Sequence, residues 1–153
     1  DGRHRRMSAG IYLRLPMIHT KCACVRVRRA SRSLTDLYDE ALRPAGLKIT
    51  QFSVLRTVAR MGPVSISGLA GEMALDRSTL GRNLGLLKRQ GLVGLSEGID
   101  LRERTVTLTP RARRLLERAI PLWEQAQRRV EQCLGGGEVT TLFALLAKIE
   151  AMR

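Results

Sequence analysis

The chain has 153 residues, 44% apolar but only 3% aromatic, so its core must be built from Leu, Val, Ile and Ala, a composition that favours packed helices over a sheet sandwich. Twenty-seven Lys and Arg against 14 Asp and Glu leave a net charge of +13, which points to a polyanionic partner, most often nucleic acid. No run approaches the roughly 18 apolar residues of a membrane span, and three cysteines, an odd number, do not make a secreted disulfide framework; the expected compartment is the cytoplasm.

The charge is uneven. Residues 1–32 hold nine basic residues and one acid, a net of +8, leaving +5 for the rest. Residues 1–16 read as an N-terminal extension or an expression remnant outside the fold, with Met17 an alternative first residue. Ile11–Ile18 is short, broken by Arg14 and Pro16, and does not read as a signal peptide. Residues 17–153 read as a single unit.

A first helix is expected over residues 20–42. Val27, Ala30, Leu34, Leu37 and Ala41 recur in steps of three and four, while Arg26, Arg28, Arg29, Arg32, Asp36 and Asp39 lie off that seam. Pro44 and Gly46 stop it. Thr50 can cap a second helix over 51–61 with Phe52, Leu55, Val58 and Ala59 inward, ended by Gly62–Pro63. Val64–Ile66 reads as a very short strand. Ser67 then caps a brief helix, Gly68–Ala74, that buries Leu69, Ala70 and Met73.

Asp76 caps the next helix, 77–90, whose Leu80, Leu84 and Leu87 form one stripe; Gly91 suits the position just past its end. There the period drops from 3.6 to 2. Val93 and Leu95, then residues 104–108, read as two strands joined by the 96–102 loop, a hairpin. Thr109-Pro110 starts a long helix to Leu134 with Leu116, Ala119, Trp123, Ala126, Val130 and Cys133 as its seam, and Pro121 is expected to kink or divide it. Gly135–Gly137 ends it. A last helix, 138–152, turns Val139, Leu142, Leu146 and Ile149 inward.

The centre of the chain is therefore a helix-turn-helix, Ser67–Ala74 and Asp76–Gln90, followed by a hairpin. In that arrangement the second helix enters the major groove while the first braces it. Away from its leucines the second helix carries Arg77, Ser78, Thr79, Arg82, Asn83 and Arg89, side chains able to bond base edges or phosphates. Taken alone, a polar helix face is ordinary solvated surface. The hairpin directly behind it changes the reading, because it can serve as a wing whose Arg102 and Arg104 reach the minor groove or phosphates, with Asp100 pairing to Arg102. Gly81 and Gly85 weaken the helix but permit close approach to DNA or to a neighbouring helix.

These residues resemble the MarR regulators. The matches are Gly46-Leu47 leading to Thr50-Gln51, the Leu69-Ala70 helix, Asp76-Arg77-Ser78-Thr79, Leu87 through Gly91-Leu92-Val93, Asp100-x-Arg102, and Leu108-Thr109 before the long helix, in order over about residues 20–153. The resemblance implies a mainly α fold with a small β-hairpin wing. It implies a winged helix-turn-helix lobe (47–108) and a helical dimerisation region (20–42 and 109–152). It also implies a homodimer on a double-stranded, pseudopalindromic DNA operator, released by a small molecule, often aromatic, or by an oxidant. The ligand cleft of such proteins, where dimer helices meet the DNA lobe, would fall near Tyr38, Phe52, Leu55 and Trp123, residues that equally suit plain core. Members commonly carry a basic residue where Leu95 stands, and Ser96-Glu97-Gly98-Ile99 is poor in positive charge, so the wing is expected to grip DNA weakly.

Cys22 and Cys24 form a C-x-C near the start of the first helix. Either they are small apolar residues, or one is a redox-sensing thiol activated by its helix N-terminus and Lys21 or Arg26, as in hydroperoxide-sensing members of the family. With His19 the only imidazole nearby, no metal site is expected. No phosphate-cradling loop, nucleophile elbow or ligand cluster points to an enzyme or a cofactor. A third class stays open: a module that binds nucleic acid without regard to sequence, or a protein.

Overall fold

The computed structural model describes residues 21–97 and 104–152. The chain divides into two compact units, residues 1–34 and 35–153. In the first, the described part is the beginning of helix α1 (Ala23–Leu42), which ends in the second unit. Val27, in the expected seam, is 39% exposed there, and Ala30 is exposed as well.

In the second unit a 3-10 turn (Arg43–Ala45) stops at Gly46, whose left-handed φ of 69° a side chain would disfavour. Helix α2 (Ile49–Met61) begins two residues earlier than expected, with Lys48 rather than Thr50 at the cap position. The reason is a pair of side chains that take the orphan donors: the backbone N–H of Lys48 donates to Gln51 Oε1 (2.8 Å) and that of Ile49 to Asp39 Oδ1 (2.7 Å). The Lys48 ammonium lies 3.0 Å from Asp39 Oδ2. Phe52, Leu55 and Val58 face inward as expected, but Ala59 is exposed and Val54 and Gln51 are buried instead.

Strand β1 (Val64–Ser65) leads into helix α3 (Ile66–Glu72). Ser65, not Ser67, caps it. Its Oγ accepts from Gly68 N (3.0 Å), and pairing of Val64 and Ser65 with Val106 and Thr105 fixes where the strand stops. Ser67 sits inside the first turn. Helix α4 (Arg77–Arg89), strands β2 (Val93–Glu97) and β3 (Arg104–Leu108), and helices α5 (Pro110–Leu134) and α6 (Gly136–Glu150) follow. The strands form an antiparallel sheet in the order β1-β3-β2, with the buried Val106 opposite both Val64 and Leu95. Pro121 does not divide α5, and its side of the helix is exposed.

The core gathers Leu42, Phe52, Leu55, Leu69, Leu80, Leu84, Leu87, Val106, Ala112, Leu116 and Ala119, joining α2 to α5 with the sheet and α4 around them. On α5 the expected Leu116, Ala119, Ala126 and Val130 are buried, whereas Cys133 is exposed. On α6 only Val139 is buried; Leu142 and Leu146 are half-buried and Ile149 is exposed, beside Phe143 (57%) and Leu145.

Helices α3 and α4 end in the same way. Leu75 N donates to Ala70 O and Ala74 N to Gly71 O; Leu92 N donates to Leu87 O and Gly91 N to Lys88 O. Both motifs need a left-handed residue, which is Gly91 (φ 67°) at the second and Ala74 (φ 50°) at the first. Gly91→Ala is expected to lower stability by about 1 kcal/mol, the cost of a Cβ in that region, read as a drop in the urea midpoint at constant m; an unchanged midpoint would show that the Gly91 turn carries no strain.

Candidate nucleic-acid interface

Helix α4 owes its orientation to its leucines. Leu80, Leu84 and Leu87 are all buried, so the opposite side of the helix must face out. Arg77, Ser78, Arg82 and Arg89 are exposed, and Thr79 and Asn83 are half-buried at the edges of that face. Near 100° per residue, Ser78, Arg82 and Arg89 fall on the side away from the stripe, while Arg77 and Asn83 flank it. Leu86, overlooked in the sequence because it belongs to a leucine-rich run, is exposed on the same outer side and can offer an apolar contact to a thymine methyl.

The start of α4 is a hydrogen-bonded clamp. Asp76 Oδ1 accepts from Thr79 N (2.8 Å) and from Ser78 Oγ, and Oδ2 accepts from Thr79 Oγ1 (2.7 Å). These donors, the Ser78 hydroxyl first and Thr79 next, hold the Asp76 carboxyl well below the usual carboxylate range. Thr79 Oγ1 in turn accepts from Arg82 Nη2 (3.4 Å). Ser78 and Thr79 therefore spend their hydroxyl protons within the protein, and the arginines are the groups with donors left for an outside acceptor.

Ser67 lies half-buried on the first turn of α3, the bracing helix. An ion pair between Arg60 and Glu72 joins the ends of α2 and α3. Arg104 is exposed at the start of β3, opposite Glu97 in the ladder. Asp100 and Arg102, the expected wing pair, lie outside the described residues. Leu95 packs half-buried against the core, which explains an apolar residue on that strand.

Of the four residues expected near a ligand cleft, the structure brings two together. Phe52 and Trp123 stack with ring centroids 6.0 Å apart, and they line an open cleft with Arg56, Thr57 and Arg60. Arg56 covers both rings, its guanidinium carbon 4.2 Å from the Trp123 centroid, a cation–π contact the sequence reading missed. Leu55 is fully buried in the core. Tyr38 is elsewhere, donating its hydroxyl to Gln127 Oε1, and burial followed by the nearby Glu131 raises its pKa. Cys22, Cys24 and Cys133 are free and exposed. Among the described residues, no group of His, Cys, Asp and Glu could hold a metal ion, and no helix is long and apolar enough to cross a membrane.

The profile of the MarR family matches residues 45–98, the stretch from the α1–α2 turn through β2. The M. tuberculosis transcriptional regulator MosR, whose crystal structure is in complex with DNA, is 38% identical; the match covers 87% of this chain and 99% of that one, with a TM-score of 0.77. The chain belongs to the MarR family. A second MarR-like structure, Bordetella bronchiseptica BpsR, whose DNA binding is regulated by 6-hydroxynicotinic acid, is 26% identical over 86% of this chain and 94% of that one, with a TM-score of 0.78. A Bacillus subtilis (strain 168) relative, the HTH-type transcriptional regulator YwoH, is 28% identical over 92 residues, 60% of this chain and 67% of its own length. As in other MarR regulators the lobe is a winged helix, and the relatives are transcriptional regulators rather than enzymes.

The Asp76 clamp sets a pH signature. Its carboxyl binds a proton more weakly in the folded state than at its ordinary value of 3.8, so its contribution is complete above that value and is lost as pH falls through the lower folded one. The melting temperature of Asp76→Ala is expected to sit below wild type by a constant margin between pH 5 and 8. That margin is expected to narrow below about pH 4; a gap that stays constant down to pH 2 would contradict the clamp.

Proposed function

We propose that this MarR-family chain works as a homodimer that binds a pseudopalindromic duplex operator and represses transcription until a small ligand releases it. The observation that carries this reading is the outward face of α4, where Arg77, Arg82 and Arg89 are exposed while three leucines lock the helix to the core. Arg82 is the base-reading residue in this proposal, Arg77, Asn83 and Arg89 its flanking contacts. Ser78 and Thr79 hold the helix start, Ser67 braces the backbone from α3, and Arg104 and Arg102 add phosphate contacts. That MosR was crystallised in complex with DNA supports DNA as the partner here.

The proposed division of labour gives residues 47–108 to the DNA lobe and residues 20–42 and 109–152 to dimerisation, with 1–16 outside both. Exposed Val27, Phe143, Leu145 and Ile149 support it, because a second copy would cover apolar surface that one chain leaves in water. For the effector, the Phe52–Trp123 cleft with its two arginines suits a flat, anionic aromatic molecule. BpsR, controlled by a hydroxynicotinic acid, supports that class. The reading places the protein in the cytoplasm and assigns it no catalytic step and no cofactor.

Anisotropy titrations against the promoter beside its own gene test it. Wild type is expected to prefer DNA with two half-sites about one helical turn apart. Arg82→Ala should weaken specific binding by about 1–3 kcal/mol and relax discrimination, whereas Arg104→Ala should weaken all sequences alike and reduce the salt slope by about one. Equal affinity for any duplex would overturn the proposal in favour of a sequence-indifferent module.

A second reading makes the release redox-driven. It is favoured by the exposure of both Cys22 and Cys24, one residue apart at the start of α1 among Lys21 and Arg26. Under it, hydrogen peroxide releases wild type from DNA and Cys22→Ser or Cys24→Ser does not respond; identical release from all three proteins would remove it.

A further inference from the structure

We propose that the cleft between the first half of α5 and the end of α4 binds a small phosphorylated molecule carrying at least two negative charges. Arg111, Arg114 and Arg118 line this cleft of about 530 Å³. Steps of three and four put their guanidiniums on one side of the helix, spread over about 10 Å of its axis. All three are exposed, and among the described residues none has a carboxylate within ion-pair distance; the pairs that form are Arg43–Glu40, Lys48–Asp39 and Arg60–Glu72.

Like charges on adjacent turns repel, so the row is unfavourable to the free protein until an anion neutralises it. Across from the arginines the cleft is lined by Ala45, Gly46, Leu47 and Leu92 together with the polar Gln90. Leu47 and Leu92 are buried behind it and Leu115 sits between the arginines. Guanidinium forks match phosphate oxygens two at a time, and three of them exceed what one carboxylate can satisfy. A small phosphorylated molecule fits the arginine row, with Leu115 and the Gln90 amide as its remaining neighbours.

The place gives such an anion leverage. The cleft touches Gln90 and Leu92, the cap and the turn that close α4. The Thr109 hydroxyl ties this joint to α5: it donates to Gly91 O (2.8 Å) and accepts from Ala112 N (3.2 Å). Gln90 lies about 20 Å along the axis from Arg77, at the opposite end of α4 from the clamp. An occupant would therefore bear on the seating of α4 rather than compete for bases. That consequence rests on the proposed DNA reading; the binding itself does not.

Phosphate could come from a free molecule or from a DNA backbone, and the test separates them. Inorganic pyrophosphate and ADP are titrated calorimetrically into the full chain, into Arg114→Gln/Arg118→Gln, and into Arg113→Gln/Arg128→Gln, which removes the same charge from exposed positions outside the cleft. Saturable binding is expected for wild type and the second variant, and at least ten-fold weaker binding for the first. Should the first variant not fold, Arg118→Gln alone carries the test, with at least three-fold weakening expected. Absence of saturable binding to wild type, or equal weakening in both double variants, overturns the proposal. So does a cleft variant that loses duplex DNA affinity while neither probe binds wild type, since the phosphates would then be DNA's. Wild type that binds no DNA without probe would instead strike the proposed function and leave these titrations standing.

Discussion

Burial of one leucine stripe, Leu80, Leu84 and Leu87, is the constraint on which the candidate interface depends. Each of these side chains contributes about 1.5–3 kcal/mol when removed from water, and together they leave α4 one rotational setting. Turning the helix by a single residue would put Gly81, Gly85 and Lys88 in the leucines' place, burying an unpaired charge, or Thr79, Asn83 and Leu86, burying polar groups. The outward arginine face is thus the complement of the core.

Both ends of the helix are then pinned by the backbone. At the start, Asp76 takes the orphan donor of Thr79 together with two hydroxyls, and through Thr79 reaches Arg82. At the end, the Gly91 turn returns Leu92 to the core and hands the chain to β2, while Thr109 bonds the carbonyls of Gly91 and Leu92. Gln51, a buried polar side chain, adds a link from α2 by donating to Gln90 Oε1. A displacement of α5 relative to this joint would be felt along α4, which gives the proposed effector a physical route to the outward arginines.

Much of the lobe was legible in the sequence because its signals are local. The Asp76 cap, the leucine stripe, Gly91, the change of period at Val93 and the Thr109-Pro110 start each rest on contacts within a few residues, and each stands where expected. The misplaced starts have a shared cause. Thr50 and Ser67 are good capping types, but α2 is capped by Asp39 from ten residues away and α3 by a serine whose position is set by strand pairing. Ala59 and Ile149 fail as inward residues for the same reason, since a helical period marks a stripe without saying what will cover it.

What the sequence determined by itself was the family, the order of elements and which residues of α4 face away from the leucines, because periodicity and capping are properties of short stretches. Only the tertiary structure decided that Phe52 and Trp123 share a cleft under Arg56 while Tyr38 and Leu55 do not, and that three arginines of α5 meet the end of α4. Those groupings depend on how helices distant in the chain pack against one another, and no local pattern encodes the packing partner of a given face.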